Sequence, residues 1–154
     1  MTGLIATFVE PMEARLKKGF GPVDFGCSQS ECLKHFGEPD EKEHLEGIDG
    51  VDSEVWHYWE RGFSLFFDPA YGSKFCCVEV DETFPLQLFG QLVFGKKEPE
   101  VTNLIKEKGY TVSDSENHEW GEKRITFDDI FADFYFEKGL LVSVNYSVPL
   151  GEIN

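Results

Sequence analysis

Four histidines and four cysteines are the side chains of this chain best suited to metal or nucleophilic chemistry. His35, His44, His57 and His118 do not fall in H-E-x-x-H spacing, which would set two imidazoles and a glutamate base on one helix face. Cys27 and Cys32 followed by the vicinal pair Cys76-Cys77 do not form the paired knuckles of a four-thiolate zinc site. Adjacent strand residues point to opposite faces, so Cys76 and Cys77 cannot both turn toward one ion. Buried apolar thiols are the expectation. Asp49-Gly50-Val51-Asp52-Ser53-Glu54 has calcium-type ligands, but not the twelve-residue loop with its closing bidentate glutamate. There is no Gly-rich phosphate loop opening a helix and no G-x-S-x-G elbow. The sequence therefore reads as non-enzymatic, with no catalytic, cofactor or metal residues assigned.

The elements that position these side chains are legible from spacing. Ser28 and Glu31 have capping-box spacing, Cys32, Leu33 and Phe36 make an apolar stripe, and Gly37 with Pro39 ends the helix. Pro11 followed by Met12 and Leu16, with Lys17-Lys18-Gly19 behind, predicts a short N-terminal helix over 11–18. Residues 38–54 hold eight carboxylates and one lysine and are expected to be an exposed acidic loop. Period-two alternation then predicts strands at 54–59, 63–68 and 74–80, with Trp56 and Tyr58 sharing one face. Phe66 is expected beside them, and Trp59 with Phe67 on the other face.

At an offset of 69 the order starts again. Phe25-Gly26 lies over Phe94-Gly95, the helix around Cys32 over one around Val101 and Ile105, and Phe66-Phe67-Asp68 over Tyr135-Phe136-Glu137. A third strand over 140–146 follows a tighter turn. These matches give one domain over 1–154 with internal repeats 22–80 and 91–148. The expected fold class is α+β: two tandem units, each a short helix and a small antiparallel sheet, with the helices on one sheet face. Isolated helices this short are marginal in water, so each must lean on its hairpin.

The run Phe25-Gly26-Cys27-Ser28, Glu31-Cys32-Leu33, Phe36-Gly37-Glu38-Pro39 resembles the opening of the β-lactamase-inhibitor-protein-like fold, shared with a small outer-membrane-assembly lipoprotein. Trp56-x-Tyr58 with Leu65-x-Phe67 is similar to that family's hairpin. The resemblance implies a binding function in which a sheet or its loops meet another protein. It does not carry β-lactamase inhibition, and it says little of function, since fold does not fix function.

Charge narrows the partner. The chain has 29 acidic and 14 basic residues, a net −15. That sign opposes binding to nucleic-acid phosphates and to anionic membranes, and favours basic proteins. No apolar run approaches the ~20 residues of a membrane span, and no basic leader precedes the N-terminal apolar residues, so a cytoplasmic location is expected. The expected function is an acidic protein-binding domain of the immunity or inhibitor type, masking a basic partner. Asp40, Glu41, Glu43, Glu46, Asp49 and Asp52 would steer it, and Trp56, Tyr58 and Trp59 would anchor it. A small-ligand binder or enzyme with a pocket on the sheet, and a homodimerising structural domain, are the alternatives.

Overall fold

Apolar and polar residues alternate along the central strand Lys74–Asp81 and along Ala132–Glu137, giving the large sheet one apolar face and one mainly polar face, the latter carrying Val55, Phe66 and Cys77 in one row. The structure is a computed structural model and describes residues 10–46 and 53–149. The chain opens with three short strands, β1 (Met12–Arg15), β2 (Gly19–Phe20) and β3 (Val23–Asp24). Helix α1 (Gln29–Phe36) follows, capped by Ser28 Oγ accepting from the Glu31 N–H and stopped at Gly37. Then come β4 (Glu41–Leu45), β5 (Ser53–Tyr58), β6 (Phe63–Asp68) and β7 (Lys74–Asp81). Strands β8 (Leu86–Leu88) and β9 (Gln91–Leu92) lead to helix α2 (Glu98–Lys106). The chain closes with β10 (Asp114–Asn117), β11 (Glu122–Phe127), β12 (Ala132–Glu137) and β13 (Leu140–Ser147).

Two sheets result. The larger has the order β10-β11-β12-β13-β7-β6-β5-β4, antiparallel throughout. Read inward from either edge, four successive strands lead to the centre, where β7 pairs with β13 through Val80↔Val144 and Glu79↔Asn145. The smaller sheet, β3-β2-β1-β8-β9, is joined by a parallel pairing of Met12 with Leu86.

One face of the large sheet is buried under the small sheet and both helices. Phe63 of β6 is the junction. Its ring lies 5.0 Å from Phe20 of β2, 5.4 Å from Phe36 of α1, 4.7 Å from Tyr58 of β5 and 5.4 Å from Phe84 ahead of β8. Tyr146 of β13 is fully buried and donates its hydroxyl to the Gly19 carbonyl at 2.8 Å, tying the two sheets together. Gly62 has φ +91, and a Cβ there would run into Thr83 Oγ1 and the Asp81 carboxylate, so the β5–β6 turn demands glycine.

The expected α+β class is corrected to a mainly-β fold of two sheets. Helices of eight and nine residues are only about 12–14 Å long, whereas eight strands span roughly 34 Å. They cannot cover the sheet, and the five-stranded sheet supplies most of the covering layer. The expected N-terminal helix over 11–18 is also corrected. Met12–Arg15 is extended, paired with β2 on one side and β8 on the other, because inter-strand bonds outweigh a helix too short to stand alone. The acidic 38–54 stretch is not a continuous loop: Glu41–Leu45 forms edge strand β4 against β5. Phe66 and Phe67 exchange faces relative to expectation. Trp56 pairs with Leu65, so Phe63, Leu65 and Phe67 join it in the core, and Phe67 packs 4.6 Å from Trp56.

Replacing Phe63 by Ala removes the ring shared by both sheets and α1. The expected loss is roughly 3–5 kcal/mol in urea unfolding, a large share of a typical ~5–15 kcal/mol total. A loss below about 1 kcal/mol would mean the layers are not joined there.

Candidate functional site: the open face of the large sheet

The residues between the buried ones point the other way. Cross-strand register aligns them in a row over all eight strands: Glu41, His57, Ser64, Glu79, Asn145, Asp133, Thr126 and Asp114. One step along the strands lie Asp81, Ser143, Tyr135, Arg124 and Glu116, in successive register, and beyond them the pair Glu122↔Glu137. Glu43 sits on the same face of β4, opposite Val55. Both helices and the small sheet lie behind, on the core side. Carboxylates dominate the open face, and Arg124 is the cation set among them.

Arg124 is held where the acids are densest. Its guanidinium reaches Glu116 at 2.7 Å, Asp114 at 3.1 Å and Asp133 at 3.5 Å, and donates to Thr126 Oγ1 at 2.7 Å. Thr126 in turn donates to Asp133. The hydrogen bond that Arg124 donates to Glu116 raises the guanidinium pKa above its ordinary value. This shows how a guanidinium fits the face.

The centre is less satisfied. Glu79, Glu122, Tyr135, Ser143 and Asn145 surround a cavity of about 220 Å³. Asn145 Oδ1 accepts from Cys77 Sγ at 3.1 Å. Glu79 reaches solvent, yet partial burial raises its carboxyl pKa. Asp81 adds to the rise, and His57 opposes it. No ion pair with Glu79 is found among the described residues.

Toward β4, His57 bridges two strands. Its Nδ1 lies 2.8 Å from Ser64 Oγ and its Nε2 2.8 Å from Glu43 Oε1. A carboxylate only accepts, so Nε2 is assigned the proton and Nδ1 accepts from the Ser64 hydroxyl. The three residue types are those of a hydrolytic triad. The surroundings oppose that chemistry. β6 is paired on both sides, so its backbone N–H groups are spent in ladders rather than free as an oxyanion hole. Glu79, directly across from Ser64, would repel a developing oxyanion.

Two exposed tryptophans frame the face. Trp59 follows β5, is 58% exposed, stacks on His57 at 4.0 Å and 8°, and donates its indole N–H to Glu41 at 3.1 Å. Trp120 precedes β11, is 71% exposed, stacks on His118 at 4.3 Å and 10°, and donates to Glu122 at 3.4 Å.

Against the expected partner-binding residues, the structure is selective. Glu41, Glu43 and Trp59 belong to the open face. Asp40 and Glu46 flank β4 and are exposed, with Asp40 accepting from the Glu60 N–H at 3.3 Å. Asp49 and Asp52 lie outside the described residues. Trp56 and Tyr58 are interior, 1% and 2% exposed, and are corrected to core residues. Sequence reading missed Glu79, Glu122, Tyr135, Glu137, Asp114 and Glu116 as face residues, because their alignment depends on strands far apart in the chain. The twofold His-x-Trp, His57-Tyr58-Trp59 and His118-Glu119-Trp120, was a signal open to it.

The cysteines are apart from this chemistry. Burial pushes the Cys32 thiol up to about 12 and the Cys76 thiol up to about 11, and raises Cys77 as well. Among the described residues no group of three or more His, Cys, Asp or Glu is arranged to hold a metal ion, and no helix is long and apolar enough to cross a membrane. No family model, curated protein or solved structure matches the chain. The comparison lends no support to the resemblance to the β-lactamase-inhibitor-protein-like fold.

Glu79 offers a direct test of how burial acts on the centre of the face. Its folded pKa lies above the unfolded one, so its ionisation costs stability once pH rises past the ordinary carboxylate value of 4.5. Glu79→Gln should therefore raise the urea midpoint at pH 7, with the gain vanishing as pH falls below about 4. A variant less stable than wild type at pH 7 would contradict this.

Proposed function

We propose that the protein is a non-enzymatic binding domain that masks a basic surface of another protein with the open face of its large sheet. The observation that carries this reading is the composition of that face. Among the described residues, Glu41, Glu43, Glu79, Asp81, Glu122 and Glu137 form no salt bridge with an arginine or lysine, while two tryptophans stand exposed among them. The backbone that carries these carboxylates is ordered in a sheet before a partner arrives, so binding adds no backbone ordering to its cost. The net −15 adds long-range steering, and the rings supply the anchors that interface cores favour. A second copy of the chain is a poor occupant, because like charges would meet.

An inhibitor or immunity-type role follows naturally: an acidic sheet laid over a basic active surface blocks it by occupancy, with no chemistry required. Edge strands β4 and β10 are fully exposed and charged, which guards against edge-to-edge pairing and leaves the face as the docking surface.

The test uses a partner captured from the source cell at low salt and then purified. Glu41→Lys with Glu137→Lys should slow association by about 10-fold or more and flatten its salt dependence. Glu100→Lys with Glu107→Lys, the same charge change on the helix side, should leave the interaction largely intact. Equal effects from the two pairs would contradict a face-specific interaction, and binding indifferent to both pairs and to salt would remove the electrostatic reading.

A further inference from the structure

The two exposed tryptophans are built alike. In each, an imidazole two residues earlier covers one side of the indole, nearly parallel and within 4.0–4.3 Å. In each, the indole N–H is already committed to a carboxylate of the chain itself, Glu41 or Glu122. What remains available is the outer ring face, with a carboxylate fixed at its edge. An aromatic face beside a carboxylate suits a planar cation: the ring takes the guanidinium face-on and the carboxylate takes its N–H groups. It suits an apolar group less well, because the carboxylate would lose water without gaining a partner.

The two devices lie at the same end of the sheet. β5 ends where β11 begins, since an odd number of antiparallel steps separates them. They are five strand spacings apart across the sheet, roughly 24 Å at ~4.8 Å each, and Trp120 lies about four residues further along the strands, ~13 Å, which sets them roughly 27 Å apart. The carboxylates Asp81, Glu79 and Glu137 lie between. The chain also holds its own guanidinium groups in both component ways: Arg124 between carboxylates, and Arg61 over the Phe63 ring at 4.9 Å.

We propose that Trp59 and Trp120 are paired platforms for arginine side chains of the partner, one at each edge of the open face. This rests on the reading of that face as the site for a basic protein and specifies what that protein presents: two arginines roughly 27 Å apart, with further cations between them. Because each indole is pinned before binding, the stacks form with little ordering cost.

Nona-arginine and nona-lysine peptides test the proposal on the full chain, by isothermal titration at low ionic strength. Nine extended residues reach up to roughly 30 Å, enough to touch both platforms. Each stack is worth about 2-fold to 5-fold while it stays exposed, and about 30-fold if the partner desolvates it. Wild type should therefore bind nona-arginine at least about 4-fold tighter than Trp59→Leu/Trp120→Leu does, with a smaller change for nona-lysine. Trp59→Phe/Trp120→Phe should recover part of the difference, which a merely structural loss would not do. Circular dichroism melts confirm that each variant is folded. If the leucine variant binds nona-arginine as tightly as wild type, while Glu79→Lys/Glu137→Lys loses binding, the platforms are overturned and the acidic face stands. If neither peptide binds wild type at low salt, both are overturned.

Discussion

The pairing of β7 with β13 is the constraint on which the rest depends. Five registered residue pairs join the two four-strand halves, and they set the phase of every strand outward to both edges. With Val80 opposite Val144, the flanking positions Glu79 and Asn145 are forced to the other face. A slip of one residue would turn Val78, Val80, Val144 and Tyr146 to water and drive Glu79 and Asp81 inward. The buried hydroxyl of Tyr146 on Gly19 locks that register to the small sheet. The acidic face is thus the necessary reverse side of the aromatic core.

That coupling explains how a strongly charged surface is held rigidly. The carboxylates of β7, β11 and β12 sit on strands whose opposite side is packed, so the backbone beneath them cannot relax to separate like charges. Where a cation is present, as at Arg124, three carboxylates converge on it. Where it is absent, as at Glu79, ionisation works against the fold. A partner that brings cations to such positions relieves a cost already present in the free protein.

Local signals in the sequence carried the local structure. Ser28, Glu31 and Gly37 marked α1, and the apolar alternation of 63–68 gave β6 its observed bounds. What failed depended on long-range pairing. Met12–Arg15 is a strand because β2 pairs one side of it and β8, some seventy residues later, pairs the other. Glu41–Leu45 has no apolar pattern, since it is an edge strand exposed along its whole length, and so it looked like a loop. The face of Phe67 hinged on its register with β5 and on a bulge between Phe66 and Phe67 against β7. For the site, charge sign and the weight of aromatics were readable. Which tryptophan is buried and which is exposed was not, because Trp56 and Trp59 differ only in strand phase and in where the strand ends.

Hydroxyl-radical footprinting of the protein with and without its purified partner tests the central claim most directly, since it reads side-chain exposure across the whole surface. The account predicts protection of Trp59, Trp120 and Tyr135 on the open face, with Leu92 of the small sheet, 54% exposed, reacting as before. Protection of Leu92 with Trp59 and Trp120 unchanged would contradict it and place the interaction on the opposite side of the molecule.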